Sequence, residues 1–268
     1  MTVISNEEYH ADPAISASQL KKVMQSPYHY WSAYLDPSRT PTIATSAMKL
    51  GSLTHCCVLE PDQVSARYGI TSDRRSNAGK ALAAEMEASG IEAVTAQEME
   101  QALSMAASVR SNSTVSSLLS NGAAEQSFWW DDIAAPEMRC KCRPDWLSAD
   151  GETIVDLKTC QDASPTGFAS AIGRFFYQVQ AAHYLCGTLA KRFVFVAVEK
   201  SAPFATACYE LDAQALVHGS VLRHNALQRI QDCRAINSWP SYTDDGIQTL
   251  QLPGWALKDN TSITSEDF

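Results

Sequence analysis

Two carboxylates and an ammonium fall close together in the stretch Pro144-Asp-Trp-Leu-Ser-Ala-Asp-Gly-Glu-Thr-Ile-Val-Asp-Leu-Lys158. Asp145 ends one short apolar and polar run, and Asp156 and Lys158 sit in the next, Thr153-Ile-Val-Asp-Leu-Lys-Thr159. The Asp150-Gly151 pair between them is a hairpin-turn signal. A hairpin here returns Asp156 to the side of Asp145. In a strand, residues i and i+2 face the same way, so Asp156 and Lys158 share a face and Leu157 takes the other. Two such carboxylates form an oxygen-ligand site for a hard cation of the Mg²⁺ or Mn²⁺ type. A lysine beside them can hold a water or offset charge growing on a phosphate. A solvated surface hairpin would use the same residues, so the flanking segments have to decide.

Downstream, Phe168 to Leu185 reads as one helix, within a span of about 168–189, with a broad apolar face. Tyr177, Gln180 and Tyr184 fall at i, i+3 and i+7 on one stripe. They either reach the acidic centre or satisfy one another in a buried helix. Upstream, residues 46–60 read as a helix with Ser46 at its N-cap and Pro61 beyond its end. Gly51 and His55 share a face there, and the small residue leaves room beside the imidazole. His55 is then either a core residue or a ligand, and Glu60 either a further acid near the centre or the end of the helix.

The literal Pro144-Asp145 and Asp156-Leu157-Lys158 resemble the PD-(D/E)xK nuclease superfamily. Gln180-x-x-x-Tyr184 and Gly51-x-x-x-His55 are similar to the flanking motifs of its RecB-like members. Further segments resemble the RecE-type exonucleases (exodeoxyribonuclease VIII): Ile4-Ser-Asn-Glu-Glu-Tyr-His10, Ile15-Ser-Ala-Ser-Gln-Leu-Lys21, Ser26-Pro-Tyr-His-Tyr-Trp31, Leu50-Gly-Ser-Leu-Thr-His55, Val58-Leu-Glu-Pro61, Arg74-Arg-Ser-Asn-Ala-Gly-Lys80 and Leu252-Pro-Gly-Trp-Ala256. The N-terminal pieces carry no chemistry by themselves. The resemblance implies a Mg²⁺-dependent (Mn²⁺ possible) 5′→3′ exodeoxyribonuclease that acts on linear double-stranded DNA and leaves 3′ single strands. It implies His55, Asp145, Asp156, the Leu157 carbonyl and, more weakly, Glu60 as metal ligands. Lys158 would act on the water or the phosphorane charge, with Gln180 and Tyr184 holding the site or a terminal phosphate. It further implies a RecT-like single-strand annealing partner, a phage, prophage or plasmid recombination role, and a homo-oligomeric ring, a tetramer in the nearest resemblance. A catalytically silent ring that binds DNA ends and loads the annealing partner is the competing reading. A Cys-His hydrolase built on His55 or His183 is a third.

Stepping along the chain gives the elements that must position these groups. The 268 residues are 45% apolar, enough to bury a core as one large domain over 1–268. The order helix, hairpin strands, helix, strand is α/β with a mixed central sheet flanked by helices, and it fits the PD-(D/E)xK core that the resemblance implies, with a helical elaboration at about 62–122. Residues 16–35 read as one helix or two with a break at Pro27. Helices are expected at 76–89, 95–110, 113–120 and 212–236, and strands at 125–131, 137–147, 152–159 and 204–211. Phe193-Val-Phe-Val-Ala-Val198 is a continuous apolar run, the mark of a buried central strand. No apolar segment approaches the roughly 20 residues of a membrane span, and no signal peptide opens the chain, so a cytoplasmic location is expected. The eight cysteines lack the spacing of a disulfide framework or a zinc site. Only Cys233 stands near the C-terminus, so no iron–sulfur cluster is expected. Thirty acidic residues against 21 basic ones give a net charge of −9, an awkward balance for a DNA-binding protein unless the basic residues gather on one wall. They cluster at Arg74, Arg75 and Lys80, at Arg139, Lys141 and Arg143, and at Lys191 and Arg192. Each cluster is either part of such a wall or a solvated rim.

Overall fold

The computed structural model describes residues 4–40, 44–71, 76–133, 135–242 and 246–257. Helices α1 (Asn6–Ala11), α2 (Ala17–Gln25), α3 (Pro27–Tyr34) and α4 (Ser46–Leu59) come first. The inserted region follows as α5 (Val64–Arg67), strand β1 (Tyr68–Thr71), α6 (Asn77–Ala88), β2 (Glu92–Thr95), α7 (Ala96–Ser111) and α8 (Ser113–Leu118). Then come β3 (Gly122–Ala124), β4 (Phe128–Asp132), β5 (Ala135–Cys142), β6 (Trp146–Ser148), β7 (Thr153–Cys160), α9 (Pro165–Phe175), α10 (Tyr177–Thr188), β8 (Arg192–Glu199), β9 (Thr206–Glu210) and α11 (Ala213–Ile236). No helix among the described residues is long and apolar enough to cross a membrane.

A mixed five-stranded sheet in the order β3-β6-β7-β8-β9 is the centre of the molecule. β7 pairs antiparallel with β6 and parallel with β8, which places Asp156 opposite Phe195 in the register. The two faces of β7 alternate as its sequence requires. Val155 and Leu157 join Leu53, Met105, Val109, Val196 and Val198 under α4 and α7. Ile154 joins Leu147, Phe168, Ala181, Phe193 and Phe195 under α9 and α10. Asp156 and Lys158 share the second face with Ile154. The 193–198 run is β8, buried through its length, as its unbroken apolar character demands.

Several expected elements divide more finely. α2 and α3 meet at Ser26, whose hydroxyl caps α3 by accepting from the His29 amide at 3.2 Å, with Pro27 at the first helical position. α4 is capped by Thr45, with Ser46 as its first residue. The expected single helix at 168–189 is two, because Phe176 takes a left-handed conformation at φ 53°. That geometry costs about 1–3 kcal/mol for a bulky residue. Phe176 packs on the cluster of Val179, Met138 and Leu227, which holds it there. The 137–147 run ends as β5, and its remainder starts β6 after a bend at Arg143 to Asp145. Residues 122–124 form a strand of their own, while 125 lies outside any strand. The inserted region also holds a parallel pair, β1 with β2, that short polar-looking runs did not announce.

Two members of the middle basic cluster, Lys141 and Arg143, are buried, while Arg139 stays exposed. Lys141 is 2% exposed and donates to the carbonyls of Tyr9 (2.5 Å) and Asp12 (2.7 Å). Arg143 is also buried and donates to Ser127 Oγ at 2.8 Å and to the carbonyl of Ile4 at 3.2 Å. Both clamp the N-terminal segment against β5, where Ile15 bridges to Cys140. Lys191 and Arg192 form exposed ion pairs with Glu152 and Glu210. Arg74 and Arg75 lie outside the described residues.

α10 packs tightly on α11, a contact made possible by Gly219. A Cβ there would overlap the main-chain carbonyl of Gln178, two residues from Gln180. Gly219→Ala is therefore expected to destabilise the fold by about 1–3 kcal/mol through overpacking. Urea unfolding followed by circular dichroism measures it; a midpoint equal to the parent's would show that the helices separate without cost.

Candidate active site

The hairpin forms as its sequence requires. Gly151 supplies the positive φ of the turn, 73°, and Asp150 accepts from the Glu152 amide at 2.9 Å. Trp146 pairs with Val155 and Leu147 with Ile154, so Asp145 reaches past the last pair. Its Oδ2 accepts the Leu157 amide at 2.7 Å. In an extended strand one residue's N–H and C=O point to the same edge. The Leu157 carbonyl therefore faces the Asp145 side, beyond the point where the ladder to β6 ends.

Asp156 is fully buried. Its Oδ1 accepts from Gln180 Nε2 at 2.7 Å, and its Oδ2 lies 2.5 Å from Lys158 Nζ. Burial pushes the Asp156 carboxyl up, against the pull of Lys158 and with the help of Asp145. Burial alone would lower Lys158, but Asp156 and Asp145 outweigh it and hold the ammonium charged. Lys158 Nζ also stands 5.0 Å from the centre of the Tyr177 ring.

The α4 side contributes His55, whose Nδ1 is 3.4 Å from Asp145 Oδ2. A Cβ on Gly51 would meet only Thr159 Oγ1 at 3.8 Å, so the space beside the imidazole is real. A residue the sequence reading did not single out completes this side. Glu125 follows β3, whose Ala124 pairs with Trp146, and this register sets Glu125 against Asp145. Its amide donates to the Asp145 carbonyl at 3.1 Å, and its backbone sits at φ 54°. One ligand atom each from His55, Glu125 and Asp145 lie within 4.8 Å of one another. Burial, then the Asp145 charge, push the Glu125 carboxyl up to about 8. His55 and Glu125 open on a cleft of about 620 Å³ that Glu60, Arg67 and Arg143 also line. The only sequence signal for Glu125 was an acid just after Gly122-Ala-Ala124, and the register that gives it meaning is long-range.

The structure thus brings His55, Asp145, Asp156, Lys158 and Gln180 together around the Leu157 backbone. Glu60 does not join them as a ligand: Arg67 holds both its oxygens, at 2.6 and 2.8 Å. Tyr184 lies one turn beyond Gln180, with its ring against Phe193 and His183, as a wall of the core. Gln180 and Tyr177 of the stripe contact the Asp156–Lys158 pair, while Tyr184, whose hydroxyl burial first and then nearby negative charge hold well above its usual value, feels Asp156 and Asp145 from the core side. The Cys-His reading finds no pair. Both ring nitrogens of His183 are engaged, with the Lys141 carbonyl at 3.1 Å and Arg223 Nε at 3.2 Å. Burial drives His183 down to about 3 and the neighbouring Cys140 thiol up to about 12.

A divalent cation fits this donor set. Carboxylate, imidazole and main-chain carbonyl are hard or borderline ligands. Asp156 Oδ2 is buried without a well-aligned hydrogen bond, a defect that a cation would remove.

A mixed sheet whose hairpin carries Asp145 before one strand and Asp156-Leu157-Lys158 on the next defines a PD-(D/E)xK nuclease core. The chain belongs to the family described as "PDDEXK-like domain of unknown function (DUF3799)", whose model matches residues 16–249. No curated protein matches the chain. Among solved structures it is similar to a protein from Eubacterium rectale assigned as an exonuclease, at 14% identity and a TM-score of 0.67, covering 97% of this chain and 100% of that one. A phage-related exonuclease from Haemophilus somnus 129PT overlays more loosely, at 11% identity and a TM-score of 0.38, covering 84% and 96%.

Two carboxyls whose folded values are raised bind protons that the unfolded chain has already released. Stability of the metal-free protein is then expected to fall as pH rises from about 4.5 to about 8, the window set by Glu125. Glu125→Gln should raise the metal-free melting temperature by a few degrees at pH 8 and change it little at pH 4. Scanning calorimetry in a chelator at both pH values checks this; an equal shift at both would contradict the raised carboxyl.

Proposed function

We propose that the protein is a divalent-metal-dependent exodeoxyribonuclease, using Mg²⁺ with Mn²⁺ as a substitute, that degrades linear double-stranded DNA 5′→3′. The observation that carries this reading is the convergence of Asp145, Asp156 and Lys158 with His55 and Glu125 at the edge of an open cleft. In it, Asp145, Asp156, His55 and the Leu157 carbonyl hold the metal, and Glu125 adds a ligand or receives the water's proton. The bound cation supplies an activated water and offsets charge on the leaving 3′-oxygen. Lys158 orients that water and meets the charge of the five-coordinate phosphorus. Water adds to phosphorus, the bond to the 3′-oxygen breaks, and a 5′-phosphate and a 3′-hydroxyl result. Gln180 holds Asp156 in the ligating rotamer.

The 3′ single strands left behind are the substrate class of a RecT-like annealing protein, so that partner and a recombination role in a phage, prophage or plasmid belong to the same proposal. So does a homo-oligomeric ring, with a tetramer favoured. At −9, a monomer would be repelled by DNA over most of its surface, whereas a closed ring holds its substrate topologically. Exposed Ile247, Leu250 and Leu252 in the C-terminal segment are apolar surface that such an interface would cover.

Asp156→Asn is expected to abolish Mg²⁺-dependent digestion of end-labelled linear duplex. Lys158→Ala is expected to slow it by about 10²–10³-fold while leaving metal affinity in place, as for other electrostatic groups acting in a transition state. Gel analysis of labelled ends, with calorimetric titration of Mn²⁺ alongside, decides: near-parental digestion by Asp156→Asn would remove the hairpin from the chemistry.

A further inference from the structure

Lys21 is a cation that the hairpin chemistry leaves without a role. It lies on α2 between Leu20 and Val23, which are both fully buried. These anchors fix the helix face, so the Lys21 side chain is laid across toward α10. Its Nζ stands 3.4 Å from Gln180 Oε1 and 5.0 Å from the centre of the Tyr177 ring. Lys158 Nζ is also 5.0 Å from that ring. Two ammonium groups thus share one tyrosine beside Asp156.

Their charges are met unequally. Lys158 has Asp156 at 2.5 Å. Among the described residues no carboxylate pairs with Lys21. Its polar partner is a neutral amide oxygen at the outer limit of a hydrogen bond, and a ring face adds about 0.5–2 kcal/mol. Burial first, and then the like charge of Lys158, lower the Lys21 ammonium to about 8, and the Asp156 charge pulls the other way without offsetting them. Packing holds it in place where pairing does not. Gln180 also links it to the centre, since the same amide accepts from Lys21 and donates to Asp156 at 2.7 Å.

We propose that Lys21 is a substrate-binding residue that grips a DNA phosphate oxyanion next to the reacting one. The phosphate supplies the missing counter-charge, and Tyr177 separates this grip from the Lys158 ammonium that serves the chemistry. The inference rests on the nuclease reading for its substrate, but its test does not need cleavage. One phosphate chemistry has two sources, a terminal 5′-phosphate or an internal phosphodiester, and the arms of the experiment tell them apart.

The experiment is fluorescence anisotropy of linear duplex with 5′-phosphate or 5′-hydroxyl ends, in Ca²⁺, titrated with KCl. It compares the parent with Lys21→Met, which keeps the stem against Tyr177, and with Lys21→Arg. Lys21→Met is expected to bind about tenfold more weakly and to flatten the slope of log affinity against log salt by about 0.9, the signature of one lost phosphate contact. Lys21→Arg is expected to restore the slope. A loss confined to the 5′-phosphorylated duplex names the terminal phosphate, and an equal loss on both names an internal one. Unchanged affinity and slope in Lys21→Met, or a parent that does not bind duplex ends, overturns the proposal. A parent that binds ends but cuts nothing in Mg²⁺ or Mn²⁺ sinks the nuclease reading and leaves the Lys21 comparison standing.

Discussion

A carboxylate with no access to water stands at the middle of this fold, and much of the architecture answers to it. Asp156 lies on a strand flanked on both sides in the sheet and covered by α10. Leaving such a group charged and alone costs several kcal/mol. Lys158, two residues on, takes one oxygen because strand periodicity puts it on the same face. Gln180 takes the other, which requires α10 to lie across the sheet with its Gln178–His183 stretch inward. The left-handed turn at Phe176 re-aims the chain so that this happens, and Gly219 lets α11 press α10 down from behind. Each is a local oddity when seen alone. Together they are the means by which one acid stays buried and partnered.

The hairpin, the His55 helix, the central strand and the Gln180 helix were legible in the sequence because each depends on a short-range rule. Period two placed Asp156 and Lys158 on one face. Asp150-Gly151 set the turn, and an unbroken apolar run marked β8. What escaped depends on partners far away in the chain. Glu125 owes its place to the register of a three-residue strand too short to show alternation. Lys21 owes its place to α2 packing on α10, so a segment that looked chemically idle delivers a cation to the centre. Glu60 was a reasonable ligand by its distance along the helix, and Arg67, one 3-10 turn and a short helix later, claimed it. Tyr184 and Tyr177 could not be ranked by helical spacing, since both lie on the stripe. Tyr177, at the first position of α10, is the one whose ring lies beside Lys158.

Charge was the least legible property, since a count of basic residues says nothing of where their side chains end. Lys141 on β5 and Arg143 just after it are spaced as a surface rim would be, yet both turn inward and donate to the N-terminal segment, Arg143 also to Ser127. The segment so fastened leads into α2. The residues that looked like the outer electrostatic face therefore act at one remove, by fixing the helix that carries Lys21.

Two of the cations near the centre differ in what they lack, and that difference organises the site. Lys158 is neutralised within the protein, so its charge becomes free to act only as Asp156 is drawn toward another positive group. Lys21 makes no ion pair among the described residues, and its polar partner is the Gln180 amide oxygen. On the proposed reading, a DNA phosphate would be met by the cation that lacks an ion pair, and would reach the paired one only by exchanging partners with Asp156. The two lysines thus differ in burial and pairing with one tyrosine ring between them, and that difference is what the proposed division of binding from chemistry rests on.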